Sequence, residues 1–87
     1  MSEPRAWDLA MDGFLGHLAA ERGLATSTLE AYARDLRRLR GWALPAGHGD
    51  PARLEADDLR AFLVERAGDL APRSRARLVA TLRAFGR

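Results

Sequence analysis

The chain has 87 residues, of which 47% are apolar and 30% charged, with a formal net charge of +2 and no cysteine. That length makes one small domain with a modest core, and the apolar content excludes a disordered segment. Without cysteine there is neither a disulfide framework nor a thiolate metal site, no apolar run reaches transmembrane length, and the N-terminus lacks a signal peptide's pattern, so a cytoplasmic protein with no membrane role is expected.

All long stretches repeat their apolar residues with a period of about 3.6, and none alternates for long, which predicts an all-α fold. The first helix is expected over about Pro4 to Arg22, with Trp7, Met11, Phe14 and Leu18 as its stripe and Leu15 at the edge. Gly23 is placed to end it in the left-handed conformation, with Leu24 as the apolar partner of the stop. The second helix is expected from about Thr26 to Trp42, with Leu29, Tyr32, Ala33, Leu36, Leu39 and Ala43 facing inward. Its start has two readings: a capping box over Ser27-Thr28-Leu29-Glu30, or a start two residues earlier with Leu24 stapled onto Leu29.

Residues 44–51 carry two prolines and two glycines and are expected to form a flexible loop. A third helix follows over about Glu55 to Ala67. It buries Leu59, Phe62, Leu63 and the stem of Arg66, and holds Glu55, Asp57 and Asp58 in its first turn, where the helix dipole favours anions. Gly68 ends it. The fourth helix starts at Pro72, whose missing N–H costs nothing there, and buries Leu78, Val79, Leu82 and Phe85. Short connections at Gly23 and Gly68 predict two helical hairpins joined by the central loop.

The charges are sorted along this plan. Residues 1–23 carry a net −2, residues 24–49 a net +2, residues 50–69 a net −3 and residues 70–87 a net +5, with no acid in the last segment. All 14 basic residues are arginine, which grips phosphate oxygens bidentately where lysine acts as a point charge. Helical wheels set Ser27, Ala31, Arg34 and Arg38 opposite the apolar face of the second helix. They set Arg73, Ala76, Ala80, Ala84 and Arg87 opposite that of the fourth, flanked by Arg77 and Arg83. Alanines let a helix backbone approach a target, arginines reach phosphates or guanine edges, and Ser27, Thr28 and Ser74 lie at helix starts suited to capping or phosphate contact. A solvated face is the plainer account of one basic helix, but such a face mixes signs, and the fourth helix has none to mix. Duplex DNA is therefore the expected partner. An α-helical protein-interaction module with a basic face and a helix-turn-helix regulator are the alternatives.

No other chemistry assembles. His17 and His48 lack metal-ligand spacing, there is no phosphate-binding glycine loop, and no nucleophile, base and oxyanion donor come together, so neither metal, cofactor nor catalytic residue is expected. Tyr32 is on the apolar face, as a core residue.

The order Phe14-Leu15-x-x-Leu18, Glu21-Arg22-Gly23-Leu24 and Thr28-Leu29-x-Ala31-Tyr32-x-x-Asp35-Leu36 resembles the N-terminal domain of tyrosine recombinases and phage integrases, nearest the Xer type. Asp57-Asp58-Leu59-x-x-Phe62-Leu63, Leu70-x-Pro72-Arg73-Ser74 and Leu82-Arg83-x-Phe85 continue the pattern over residues 10–87. The resemblance implies a four-helix SAM-like core-binding domain spanning residues 1–87, whose second and fourth helices lie against DNA as one half of a clamp. It implies a parent protein that exchanges strands through a phosphotyrosine intermediate in a tetrameric synaptic complex with other recombinase subunits, using a C-terminal catalytic domain absent from this chain. The expected DNA-binding residues are Ser27, Thr28, Arg34, Arg38, Arg73, Ser74, Arg77 and Arg83. Ala25 and Ala71 depart from the pattern where serine caps are common, and so do Ala80, where serine is common, and Gly86, where an aromatic is usual.

Overall fold

The computed structural model describes residues 3–86. Four α-helices follow in order: α1 (Glu3–Arg22), α2 (Thr26–Ala43), α3 (Ala56–Arg66) and α4 (Pro72–Phe85), with a single 3₁₀ turn, Pro51–Arg53, between α2 and α3. No strand occurs among the described residues. The helix boundaries fall within a residue or so of those the apolar period and the glycine and proline punctuation predict.

α2 is the central element and packs against α1, α3 and α4, whereas α3 and α4 meet little along their lengths. It buries Leu36, Leu39, Trp42 and Ala43, against which α1 sets Trp7 and Met11, α3 sets Phe62 and α4 sets Leu78 and Leu82. Each large side chain so buried contributes about 1.5–3 kcal/mol from water exclusion alone. Aromatic contacts close the seams. Phe85 at the end of α4 stacks on Trp7 with ring centroids 6.1 Å apart and takes the edge of Phe14 at 5.6 Å. Trp42 lies against Phe62 at 5.6 Å.

Gly23 ends α1 at φ 58, in the left-handed region where a side chain is strained. Of the two starts open to α2, the earlier one is found. Ala25 is the N-cap, so Ser27 lies inside the helix and forms no capping box. Leu24 and Leu29, both half-buried, then hold the N′ and N4 positions of a hydrophobic staple. A capping carboxylate occurs instead on α3, where Asp58 accepts from the Glu55 N–H at 2.9 Å. The Arg66 stem, expected to face inward, is exposed.

The central loop is ordered by its own contacts rather than free. The Trp7 indole donates to the His48 carbonyl at 2.8 Å, and the His48 ring stacks on Trp42 at 5.4 Å. Gly47 supplies φ 92 for the turn. Asp50 accepts from the Ala52 N–H at 3.0 Å and starts the 3₁₀ turn, which Pro51 tolerates at its first position. Pro51 therefore opens a short helical turn that the composition of the loop alone argues against.

Candidate nucleic-acid interface

α2 and α4 each open without a side-chain cap and without an acid in the first turn, so their leading N–H groups and the positive end of each helix dipole are unopposed. Thr28 and Ser74 occupy the same third position of the two helices and are both half-buried, while Ser27 is exposed one residue before Thr28. The arginines nearby divide by what they touch. Arg34, Arg37 and Arg38 on α2 and Arg73 and Arg83 on α4 are exposed, as are Ala76 and Ala80. Arg87 lies outside the described residues.

Other arginines of the basic segments serve the fold. Arg40 turns toward α1, its Nε 3.4 Å from Asp8. Arg75 closes the α3–α4 connection: its Nε donates to the Ala67 carbonyl at 3.2 Å, and its Nη2 donates to the carbonyls of Gly68 at 3.2 Å and Leu70 at 3.1 Å. It gathers three carbonyls of the α3–α4 connection onto one guanidinium.

Arg77 corrects the expectation that all the candidate arginines point away from the packed face. Its guanidinium forms a two-pronged pair with Asp35 of α2, Nε to Oδ2 at 2.9 Å and Nη2 to Oδ1 at 2.8 Å. The Asp35 side chain is 1% exposed and that of Arg77 is 33% exposed. The Thr81 hydroxyl, also buried, lies 3.2 Å from the Asp35 carboxylate and 2.9 Å from the Arg77 carbonyl. The hydrogen bond to Asp35, reinforced by its charge, holds the guanidinium protonated even more firmly than usual, against the opposing effect of partial burial. The sequence held a signal for this. Asp35 lies three residues after Tyr32 and four before Leu39, at the edge of a buried stripe, and a carboxylate there needs a cation from another helix. The acid-free α4 supplies it.

The structure does not gather every candidate at one point. The Asp35–Arg77 pair joins the α2 turn carrying Arg34 to the α4 turn carrying Arg77. Arg38 borders a recess with Arg37, Arg66, Glu65 and Asp69, where its charge is partly offset. Arg83 borders a separate, larger groove of about 1030 Å³, lined among others by Phe14, His17, Arg22 and Phe85. Among the described residues no group of histidines and acids has metal-ligand geometry, and no helix is long and apolar enough to cross a membrane.

The sequence profile described as "Phage integrase, N-terminal SAM-like domain" matches residues 11–87. The chain is 47% identical to Tyrosine recombinase XerC of Bradyrhizobium diazoefficiens over 83 residues, covering 88% of this chain and 26% of that protein. It is 44% identical to Tyrosine recombinase XerD of Xanthomonas campestris over 82 residues, 90% of this chain and 24% of the relative. It is also 44% identical to Tyrosine recombinase XerD of Mycobacterium tuberculosis over 62 residues, 70% and 20% of the two chains. The chain thus spans about a quarter of the length of the first two curated relatives and somewhat less of the third. Among solved structures none matches it significantly.

Proposed function

Since the chain belongs to the phage integrase N-terminal SAM-like domain family, we propose that it binds duplex DNA through α2 and α4 for site-specific recombination by a longer tyrosine recombinase. The observation that carries this reading is the segregation of charge: α4 exposes Arg73, Ala76, Ala80 and Arg83 and has no acid anywhere along it. A helix that needed only to be soluble would pair opposite charges one turn apart. Arg34 and Arg38 add exposed cations on α2, and Ser27, Thr28 and Ser74 lie at two uncapped helix starts suited to phosphate. The chain brings no catalytic residue, metal or cofactor to the reaction. It positions DNA, and cutting and rejoining fall to the remaining length of the parent protein, acting in the cytoplasm with other recombinase subunits in a tetrameric synaptic complex.

With only half of a clamp present, binding should be weak and nearly sequence-independent, with a Kd on the order of 10⁻⁴–10⁻⁶ M at physiological salt. If about four phosphates are neutralised, log K should fall with log salt at a slope of roughly −3.6. Fluorescence anisotropy of a short mixed-sequence duplex across a salt series measures both. Affinity that ignores salt, or no binding even at low salt, removes the DNA reading.

A further inference from the structure

We propose that Asp35 is a positioning residue for DNA: from inside the domain it fixes the Arg77 guanidinium so that its unpaired edge meets a backbone phosphate. This rests on the DNA-binding reading and adds to it a residue that never touches the nucleic acid.

Asp35 is wholly buried, and both of its oxygens are engaged by the Arg77 fork. Stability does not by itself account for such a pair, since well-packed apolar residues of similar volume hold two helices as well or better. What apolar residues cannot do is present a cation in a fixed pose. Of the five guanidinium N–H groups, the pair uses one on Nε and one on Nη2. Both on Nη1 and the second on Nη2 are left for a ligand. The side chain remains one-third exposed. Arg73, one turn earlier, and Ala76 and Ala80 beside it are all exposed, so a polyanion can come close to the free edge. An unrestrained arginine gives up rotamer freedom when it grips a phosphate; here the fold has already fixed it. The Thr81 hydroxyl, wedged between the Asp35 carboxylate and the Arg77 backbone, holds the acid in place in turn.

The sign of one substitution separates this from plain electrostatics. Asp35→Asn keeps the side chain's size and adds one unit of positive charge to the domain. If the field alone governs binding, the variant binds DNA as well as the native chain or better. If Asp35 positions Arg77, it binds worse in spite of the added charge. The experiment measures anisotropy of a mixed-sequence duplex over a salt series for the native chain, Asp35→Asn, Arg77→Gln, the double variant and Arg77→Lys, below each variant's unfolding midpoint by circular dichroism.

The expected result for Asp35→Asn is a roughly five- to tenfold loss of affinity at moderate salt and a salt slope shallower by about one. The double variant should bind like Arg77→Gln alone, because Asp35 acts only through Arg77. Arg77→Lys retains the charge opposite Asp35 but lacks the fork, and serves if Asp35→Asn does not fold; it should lose affinity to a similar degree. Native-like binding by Asp35→Asn or by Arg77→Lys overturns the proposal, as does a double variant clearly weaker than Arg77→Gln. Arg34→Ala and Arg73→Ala report on the parent reading separately: if they weaken binding while Asp35→Asn does not, the DNA surface stands and the positioning role falls. If the native chain fails to bind, both fall.

Discussion

Ala25 and Ala71 hold the same position in two helices and almost the same backbone conformation, φ −62 and ψ 151 for one, φ −60 and ψ 151 for the other. At Ala71 the following proline enforces the extended geometry, since it bars its predecessor from the helical region. Each alanine is shaped to cap and has no oxygen with which to do so. Ala71→Ser should therefore raise stability by about 0.5–2 kcal/mol, several degrees in melting midpoint for a domain of this size. Ala25→Ser should do the same. A thermal melt followed by circular dichroism checks both, and an unchanged midpoint would mean the leading N–H groups already have partners.

Arg77→Ala should destabilise the domain strongly. It leaves Asp35 buried without its cation, and breaking a fully buried pair costs about 3–5 kcal/mol. Because Arg77 is partly solvated, water can reach the orphaned carboxylate, and about 2–4 kcal/mol is the expected loss. Urea denaturation of the variant beside Arg34→Ala, which should fall within about 0.5 kcal/mol of native, gives the contrast. Equal stability of the two would mean that the pair does not hold α2 to α4.

Trp7→Phe removes the indole N–H that donates to the His48 carbonyl and leaves a smaller ring in a fully buried site. The expected cost is about 1–3 kcal/mol. Trp42 remains as the fluorescent reporter for the denaturation curve. Amide exchange near His48 should also quicken in the variant, because the central loop loses its tether to α1; a loop equally protected in both proteins would place its order elsewhere.

Arg34→Ala, Arg73→Ala and Arg83→Ala should weaken DNA binding without altering the melt, and each residue that meets only phosphate should reduce the salt slope by about one. Asp12→Ala and Glu65→Ala, on α1 and α3, should leave binding equal or stronger. Arg38→Ala tests the recess it shares with Glu65 and Asp69: those acids offset its charge, so its loss should matter less than that of Arg34. If the acid and arginine substitutions act alike on DNA, the sorting of charge by helix has no functional meaning.

The helices were legible because their signals are local. Gly23, Gly68 and Pro72 mark ends through their own backbone preferences, and the buried stripe of α1 through Trp7, Met11 and Leu18 follows from period alone. The start of α2 is open in the sequence because the Ser27 capping box and the Leu24–Leu29 staple offer competing starts two residues apart, and only the packing of the whole helix selects between them. A helical wheel does not give the direction of Arg77, because it places a residue by angle on its own helix, whereas this side chain is turned by Asp35, far away in sequence on α2. Arg75 shows the same limit: its partners are backbone carbonyls of the α3–α4 connection, which no side-chain pattern announces. The glycines around His48 suggest mobility, but the Trp7 indole holds its carbonyl and Trp42 stacks on its ring.

Phe85 on Trp7 joins the last helix to the first. Most of the remaining packing runs through α2, and much of it links neighbouring elements, so most of the core can assemble before this seam closes. Closing so long a loop is not much dearer than closing one half its size, since each doubling adds only about 0.6 kcal/mol. The seam is thus suited to be the final step of folding and the first to open. A substitution such as Phe85→Leu should then speed unfolding while leaving the refolding rate nearly unchanged, visible as a shift in only one arm of a chevron plot. The lifetime of the native state, more than the speed of reaching it, would be set where the two outermost helices touch.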